Sequence, residues 1–163
     1  MENQPTPENS RPPVRNDLVR LCRELNACGA RYLVVGGFAI IHHGFLRATD
    51  DIDLLVEGSL DNQARLKKAL EILPDKAIRE LADDDLRNYN VVRVGDDVLV
   101  DLMLAACGIA YEEASSEIER VVVEDVTIPF ASPRLLLRMK QTHREKDQLD
   151  RMFLERKVRG EIP

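Results

Sequence analysis

The chain has 163 residues, 44% of them hydrophobic and 32% charged, with 29 acidic against 23 basic side chains. This length fits one compact domain, and the 8 glycines and 8 prolines exclude a collagen-like or wholly disordered chain. No apolar stretch approaches the roughly 18 residues of a membrane-spanning helix, and the N-terminus lacks the basic and apolar parts of a signal peptide. We therefore expect a cytoplasmic protein that does not enter a membrane.

The net charge of −6 is unevenly distributed along the chain. Residues 133–159 carry nine Lys and Arg against four Asp and Glu, so a basic C-terminal segment follows an acidic body. Two explanations stay open, namely ordinary solvated helix faces or a flank that binds an anion.

Residues 1–14 contain four prolines among polar side chains, and we expect them to be disordered. Residues 15–163 are expected to form a single domain. Apolar periodicity then predicts five helices and six strands within it. The predicted helices are 16–28, 38–43, 61–73, 133–141 and 144–157, with Asn16, Asp61 and Ser132 as N-caps. The predicted strands are 32–35, 50–57, 89–94, 98–104, 118–123 and 126–129.

The third and fourth predicted strands are joined by Gly95-Asp96-Asp97, which is typical of the turn of an antiparallel hairpin. Strands of both orientations are therefore expected, with helices at both ends of the chain. The sequence predicts an α+β protein with a mixed sheet.

The second predicted strand carries two closely spaced acids. Side chains alternate along a strand, so Asp51, Asp53 and Leu55 share one face while the alternate residues, which are all apolar, share the other. Two ionised carboxylates this close repel each other unless a cation or a raised pKa relieves them. Oxygen ligands on a rigid strand suit Mg²⁺ or Mn²⁺, so we expect a divalent metal here.

Asp101 interrupts an otherwise apolar strand, where an unpaired carboxylate is costly. If this strand lies beside that of Asp51 and Asp53, the three carboxylates converge as in a phosphoryl or nucleotidyl transfer site. The structural alternative is a salt bridge from Asp101 to an arginine such as Arg47 or Arg93.

Gly36 and Gly37 follow a predicted strand and precede a predicted helix. Such a pair exposes backbone N–H groups without a Cβ nearby and can cradle a phosphate. The alternative is an ordinary tight turn.

Taken together, these motifs resemble those of a known family. A glycine pair followed by R-A-T-D-D-I-D-L-L-V, with a lone aspartate in a later apolar strand, resembles the polymerase-beta-like nucleotidyltransferase superfamily. Its hallmark is a glycine pair, commonly Gly-Ser, upstream of D-x-D. The closing segments I-P-F-A-S-P-R-L-L-L-R-M-K and R-E-K-D-Q-L-D look like those of minimal bacterial members related to abortive-infection toxins of the AbiEii type. The resemblance implies a palm-like fold, with a mixed sheet flanked by helices and a helical C-terminus.

The resemblance also implies roles for individual residues. Asp51 and Asp53 would bind the metal, and Asp101 would be a third acid that binds metal and takes the proton from the attacking hydroxyl. Gly36 and Gly37 would contact the triphosphate. Because Gly37 stands where serine is common, one hydroxyl contact to phosphate is missing.

Four further residues are candidates for binding the nucleotide. The resemblance places Arg47 and Thr49 at the edge of the site, where Arg47 would hold a phosphate or brace a carboxylate. Lys140 and Arg144 would face the nucleotide phosphates, with ordinary surface solvation as the competing explanation.

Four other polar residues are interpreted as structural. Asp147 and Asp150 lie in K-D-x-x-D, which offers only a weak ion pair across one helical turn. His42 and His43 have no partner at metal-ligand spacing, and a capping or packing role is favoured.

These residues support the hypothesis of an Mg²⁺- or Mn²⁺-dependent nucleotidyltransferase that moves an NMP from an NTP to a hydroxyl acceptor. The acceptor stays open: an RNA 3′ end such as that of tRNA, a protein, or a small molecule. The resemblance suggests a toxin–antitoxin or phage-defence setting, with a cognate antitoxin as a partner. The alternative is a non-catalytic module of the same fold that binds or regulates a partner.

Overall fold

A computed structural model describes residues 10–163 and shows a six-stranded mixed sheet with helices packed against it. The α-helices in this range are α1 (Arg15–Ala27), α2 (Gly36–His42), α3 (Leu60–Leu70), α4 (Asp85–Asn88), α5 (Tyr111–Ala114), α6 (Pro133–Met139) and α7 (Glu145–Val158). The strands are β1 (Tyr32–Val35), β2 (Asp51–Val56), β3 (Val92–Gly95), β4 (Leu99–Met103), β5 (Ala105–Ala106), β6 (Ile109–Ala110), β7 (Ile118–Val123) and β8 (Val126–Ala131).

The strands of the main sheet follow the order β3-β4-β2-β1-β8-β7. β2 pairs in parallel with β4, and β1 pairs in parallel with β8, whereas the other neighbouring pairs are antiparallel. The predicted mixed sheet of an α+β protein is therefore confirmed. The interior strands are nearly continuous apolar runs because both of their faces are covered, as the complete burial of Leu33, Ile52 and Leu54 shows.

The helices at the two ends of the chain pack on different parts of the molecule. α1 packs on α3 and β8, so its apolar face closes over Leu66 and the core beneath it. α2 packs on β1, β2 and α6, and α6 packs on α7. Through α2 and α6, the two last helices are held close to the strand that carries Asp51 and Asp53.

Two of the three predicted helix caps are wrong, and the third is confirmed. At the start of α1 the side chain of Asp17, not Asn16, accepts a hydrogen bond from the backbone N–H of Val14 at 2.7 Å. α3 begins after Ser59, whose hydroxyl accepts from the N–H of Asn62 at 3.1 Å, so the cap lies two residues before Asp61. Ser132 caps α6 as predicted, with Pro133 in its first turn.

The predicted hairpin and the predicted strand pair near the C-terminus are confirmed as β3–β4 and β7–β8. The β5–β6 hairpin and the short helices α4 and α5 were not predicted, because elements of two to four residues are too short to show periodicity.

Residues 1–9 of the predicted disordered segment lie outside the described residues. Of the remainder, Ser10 donates a hydrogen bond to the carbonyl of Asp96 at 2.7 Å, and Arg11 forms a bidentate ion pair with Asp17. No helix within residues 10–163 is both long enough and apolar enough to cross a bilayer.

Candidate active site

Three carboxylates meet on one face of the sheet. Asp51 and Asp53 lie on β2, and Asp101 lies directly opposite Asp53 on the parallel strand β4. One oxygen from each of the three lies within 4.8 Å of the others. The adjacency of the two strands, on which the predicted convergence depended, is therefore present.

The proximity of these acids affects their protonation. Burial, and then the charges of Asp51 and Asp101, raise the pKa of Asp53 well above its usual value. Burial and the charge of Asp101 also raise the pKa of Asp51, although Arg93 opposes this shift. Asp51 and Asp53 therefore hold protons more tightly than separated aspartates would, and a bound cation would favour the release of these protons.

Arg93 lies beside the acids on the edge strand β3, where it pairs with Asp101 across the β3–β4 hairpin. Its Nε donates to Asp101 Oδ1 at 2.8 Å and its Nη2 donates to Asp101 Oδ2 at 2.9 Å. The same Nη2 also donates to Asp51 Oδ2 at 3.0 Å. The salt bridge considered as an alternative for Asp101 is thus present, with Arg93 and not with Arg47, and it coexists with the convergence of the acids.

Gly36 lies between β1 and the acid cluster, at the first residue of α2. Its φ of +66° is in the left-handed region, and a Cβ there would lie 2.7 Å from the Cγ of Asp53. No larger side chain fits without moving this carboxylate. The glycine therefore has a steric reason to be present, besides any contact between its backbone and a phosphate.

Gly37 has an equally close neighbour on the loop before β2. A Cβ at Gly37 would lie 2.6 Å from the Cβ of Thr49, so the side chain of Thr49 fills the space of a side chain at residue 37. Thr49 is buried, and its hydroxyl donates to the carbonyl of Asp51 at 3.1 Å. Serine at residue 37 would therefore require Thr49 to move.

Arg47 and Lys140 are both held by Asp150, which is completely buried on α7. The Nε and Nη2 of Arg47 donate to the two oxygens of Asp150 at 2.9 and 3.0 Å. The Nζ of Lys140 lies 3.2 Å from Asp150 Oδ2 and 3.3 Å from Asp147 Oδ1. Ordinary surface solvation, considered for both Lys140 and Arg144, is wrong for Lys140, whose side chain is only 10% exposed. It fits Arg144, whose side chain is 71% exposed.

Asp147 forms the second anchor of this cationic group. Arg144 Nε donates to Asp147 Oδ2 at 2.9 Å, and the hydroxyl of Thr142 also donates to that oxygen. Burial alone would raise the pKa of Asp147, but the hydrogen bonds from Thr142 and Arg144 and the charge of Lys140 together hold it below its usual value. Asp147 therefore stays ionised and keeps the cations in place.

The importance of Asp147 and Asp150 was missed in the sequence. The interpretation of K-D-x-x-D as a weak surface pair is wrong, because both carboxylates are fully buried. Two features of the sequence could have pointed to this role. The spacing of three residues places the two acids on one helix face, and both acids lie in a segment rich in basic residues with which they could pair. Their partners were not predictable, since Arg47 lies about a hundred residues earlier in the chain.

One cavity of about 290 Å³ connects these groups. Its lining contains the three acids, the glycine pair, Arg93 and the cations that Asp147 and Asp150 hold. The residues concerned are Gly36, Gly37, Arg47, Asp51, Asp53, Arg93, Asp101, Lys140 and Arg144. Cys107, which the sequence did not single out, also lines the cavity, and its thiol contacts the carbonyl of Met139 at 3.2 Å.

His42 and His43 are not among the residues that line this cavity. His42 stacks on Phe130 at 4.1 Å between ring centroids, and a ring nitrogen of His43 lies 2.8 Å from the carbonyl oxygen of Ala131. Their contacts are those of packing residues, as favoured from the sequence.

Comparison with known proteins gives structural matches only: no family model and no curated protein matches the sequence. A proposed nucleotidyltransferase from Thermotoga maritima, TM1012, superposes with a TM-score of 0.50 at 14% identity, over 93% of this chain and 98% of that chain. The lincomycin-bound lincosamide antibiotic adenylyltransferase LnuA matches with a TM-score of 0.48 at 15% identity, over 87% of this chain and 96% of that chain. The chain has the α+β fold of nucleotidyltransferase structures, with an acidic triad on its sheet.

Proposed function

We propose that this protein is a metal-dependent nucleotidyltransferase. It would transfer a nucleoside monophosphate from a nucleoside triphosphate to a hydroxyl acceptor, with release of pyrophosphate. The observation that carries this proposal is the presence of three converging carboxylates and three anchored cations in a single cavity. Carboxylates suit divalent cations and guanidinium and ammonium groups suit phosphates, so the cavity offers both halves of a metal–triphosphate site.

The donor set fits Mg²⁺ or Mn²⁺ because it consists of carboxylate oxygens from two adjacent strands. Asp51, Asp53 and Asp101 would hold the ion. When bound, it would lower the pKa of the acceptor hydroxyl and neutralise charge on the phosphates. Asp101, which faces the same cavity, would accept the proton of the attacking hydroxyl.

Arg47, Lys140 and Arg144 would bind the triphosphate. Asp147 and Asp150 fix their positions before any ligand arrives, so less side-chain entropy is lost on binding. The backbone at Gly36 and Gly37 can approach the phosphates because neither residue carries a Cβ. Thr49 would supply a hydroxyl at the place where a serine side chain at residue 37 would lie.

The acceptor is proposed only as a hydroxyl-bearing molecule: an RNA 3′ end such as that of tRNA, a protein or a small molecule. The basic residues of α7 favour an anionic acceptor such as RNA, because binding would gain from counterion release. A toxin–antitoxin role with a cognate antitoxin stays part of this proposal, on the sequence resemblance alone.

The test is a transfer assay with each of the four NTPs labelled at the α-phosphate. The protein is incubated with Mg²⁺ and with total RNA or cell lysate as the source of acceptor. We expect label on one class of acceptor with the wild type and none with Asp51→Ala/Asp53→Ala. Arg138→Met, which breaks an exposed ion pair with Glu113 and Glu117, is the matched control and should transfer normally.

A non-catalytic binding module is the second candidate, and the contacts of Arg93 favour it. Arg93 satisfies Asp51 and Asp101 from within the chain, as a purely structural network would. The same assay separates the two functions. Absence of label from every acceptor, or transfer that survives the double substitution, would support the module and contradict the transferase.

A further inference from the structure

Arg93 is hydrogen-bonded to two of the three acids that could hold a metal. Its charge-assisted hydrogen bonds to both oxygens of Asp101 and to one oxygen of Asp51 have lengths of 2.8, 2.9 and 3.0 Å. Its side chain is only 15% exposed, so water screens these interactions weakly. Arg93 therefore neutralises part of the cluster in the metal-free protein.

An arginine and a divalent cation compete for these carboxylates. Each carboxylate oxygen has two lone pairs, so hydrogen bonds alone do not exclude a metal, but a divalent cation among the three acids would repel the guanidinium beside them and would offset the negative charge that holds it. Lys140 and Arg144 also lie in this cavity, but Asp147 and Asp150 already pair with them. Among the basic residues whose contacts are described here, Arg93 is the one bonded directly to the acid cluster.

We propose that Arg93 is a displaceable counter-cation of the acid cluster. Arg93 holds Asp51 and Asp101 together without metal, and when a divalent cation binds, it releases Asp51 and its bonds to Asp101 weaken. This inference about Arg93 rests on the proposed function, because a metal-dependent transferase would bind a divalent cation at this site. Its consequence is that Arg93 weakens metal binding while it stabilises the metal-free fold.

The test compares Mn²⁺ binding by the wild type, Arg93→Met and Arg93→Lys, measured by the EPR signal of free Mn²⁺. Methionine keeps much of the length of arginine without its charge. Loss of one charge-assisted hydrogen bond changes an equilibrium by about tenfold. We therefore expect Arg93→Met to bind Mn²⁺ at least about tenfold more tightly, and Arg93→Lys to bind it with an affinity close to that of the wild type.

Thermal melting of the same proteins gives a second readout that does not depend on activity. In EDTA, Arg93→Met should melt below the wild type, because Asp51 and Asp101 are left without their counter-cation. Saturating Mn²⁺ should raise its melting temperature more than that of the wild type. Arg138→Met is the control, with Mn²⁺ affinity equal to that of the wild type and no change in the effect of Mn²⁺ on melting.

If Arg93→Met does not fold, NMR spectroscopy of the wild type tests the proposal instead. The Nε–H resonance of Arg93, assigned by its absence from the spectrum of Arg93→Lys, should shift when Mg²⁺ is added, because its bond to Asp101 weakens. A resonance that does not change overturns the proposal, as does equal or weaker Mn²⁺ affinity in folded Arg93→Met.

Failure of this inference can be told from failure of the proposed function. If the wild type binds Mn²⁺, and Asp51→Ala abolishes binding while Arg93→Met leaves it unchanged, only the role of Arg93 is overturned. If the wild type binds no Mn²⁺, both proposals are overturned.

Discussion

Gly37 and Thr49 share a space that holds one side chain. The hypothetical Cβ of residue 37 and the real Cβ of Thr49 would be 2.6 Å apart, well inside van der Waals contact. The departure from the more usual serine is therefore accompanied by a neighbouring hydroxyl. The structure explains why residue 37 is a glycine. From the sequence alone, this residue indicated only that a serine hydroxyl was missing.

Gly37→Ala should destabilise the fold by about 1–3 kcal/mol, because the added methyl group overpacks a buried site. In a chain that also carries Thr49→Gly the opposing side chain is absent, so Gly37→Ala should cost much less there than in the wild type. Urea denaturation of the wild type, both single variants and the double variant measures the coupling energy. Strictly additive free energies of unfolding would contradict the shared space.

Asp53→Asn should abolish nucleotidyl transfer and leave the fold intact. The raised pKa of Asp53 shows that its ionised form is unfavourable in the metal-free protein, so a neutral amide of the same shape costs little. Loss of groups that merely support metal ligands costs about 10–100-fold in activity, and we expect a larger loss here. Circular dichroism melting in EDTA should show an unchanged or higher melting temperature, and a large fall would make Asp53 structural.

At the scale of elements, α7 functions as a support for the cavity. Its two buried acids hold a cation from the loop before β2, one from the end of α6 and one from the residue before α7. Helix α7 shows little amphipathic character, since it buries carboxylates as well as Leu154. A helix of this kind is easily interpreted from its sequence as a solvated surface helix.

Asp147→Asn should destabilise the protein at neutral pH by about 1–3 kcal/mol, the usual contribution of a hydrogen bond to a charged group. The folded-state pKa of Asp147 lies below its unfolded value, so its stabilisation is present above about pH 4 and is lost as the pH falls further. The difference from the wild type should therefore shrink as the pH falls below about 4.

Urea titrations across this pH range measure the difference. Asp61→Asn is the control, because Asp61 is 73% exposed in a surface pair with Arg65 and should change stability very little. A difference that stays constant with pH would show that Asp147 stabilises the fold by packing and not by charge.

Helices and strands with long periodic patterns were predictable from the sequence. Which residues they contact in neighbouring elements was only partly predictable. The alternation along β2 placed Asp51 and Asp53 on one face, because that pattern is local. The β3–β4 hairpin was also predicted, but a turn at residues 95–97 would pair Arg93 with Leu99, whereas the register in the structure pairs Arg93 with Asp101. The pairing of Arg47 with Asp150 joins distant segments and has no local pattern.

At the scale of the whole molecule, the cavity joins acids on the sheet to cations of the C-terminal helices and the β2 loop. A triphosphate alone would be repelled by the acids, and a metal alone would leave the cations without a ligand. The two ligands should therefore bind cooperatively, each increasing the affinity for the other.

Mg²⁺ together with a non-hydrolysable NTP analogue should raise the melting temperature by about 5–10 °C, as expected at about a hundred times the dissociation constant. Either ligand alone should have a much smaller effect. Differential scanning fluorimetry measures the shifts, with Asp51→Ala/Asp53→Ala as the variant that loses them and Arg138→Met as the variant that keeps them. Equal shifts with and without Mg²⁺ would contradict cooperative binding.

The parallel pairing of β2 with β4 also bears on how the chain reaches its native state. Asp51 and Asp101 are about fifty residues apart in sequence, and only this long-range pairing brings their carboxylates together. No early local structure such as a single hairpin or helix contains the full set of acids. A paramagnetic cation added during refolding would thus report specifically on molecules in which the two strands have already docked, and its capture would time that event.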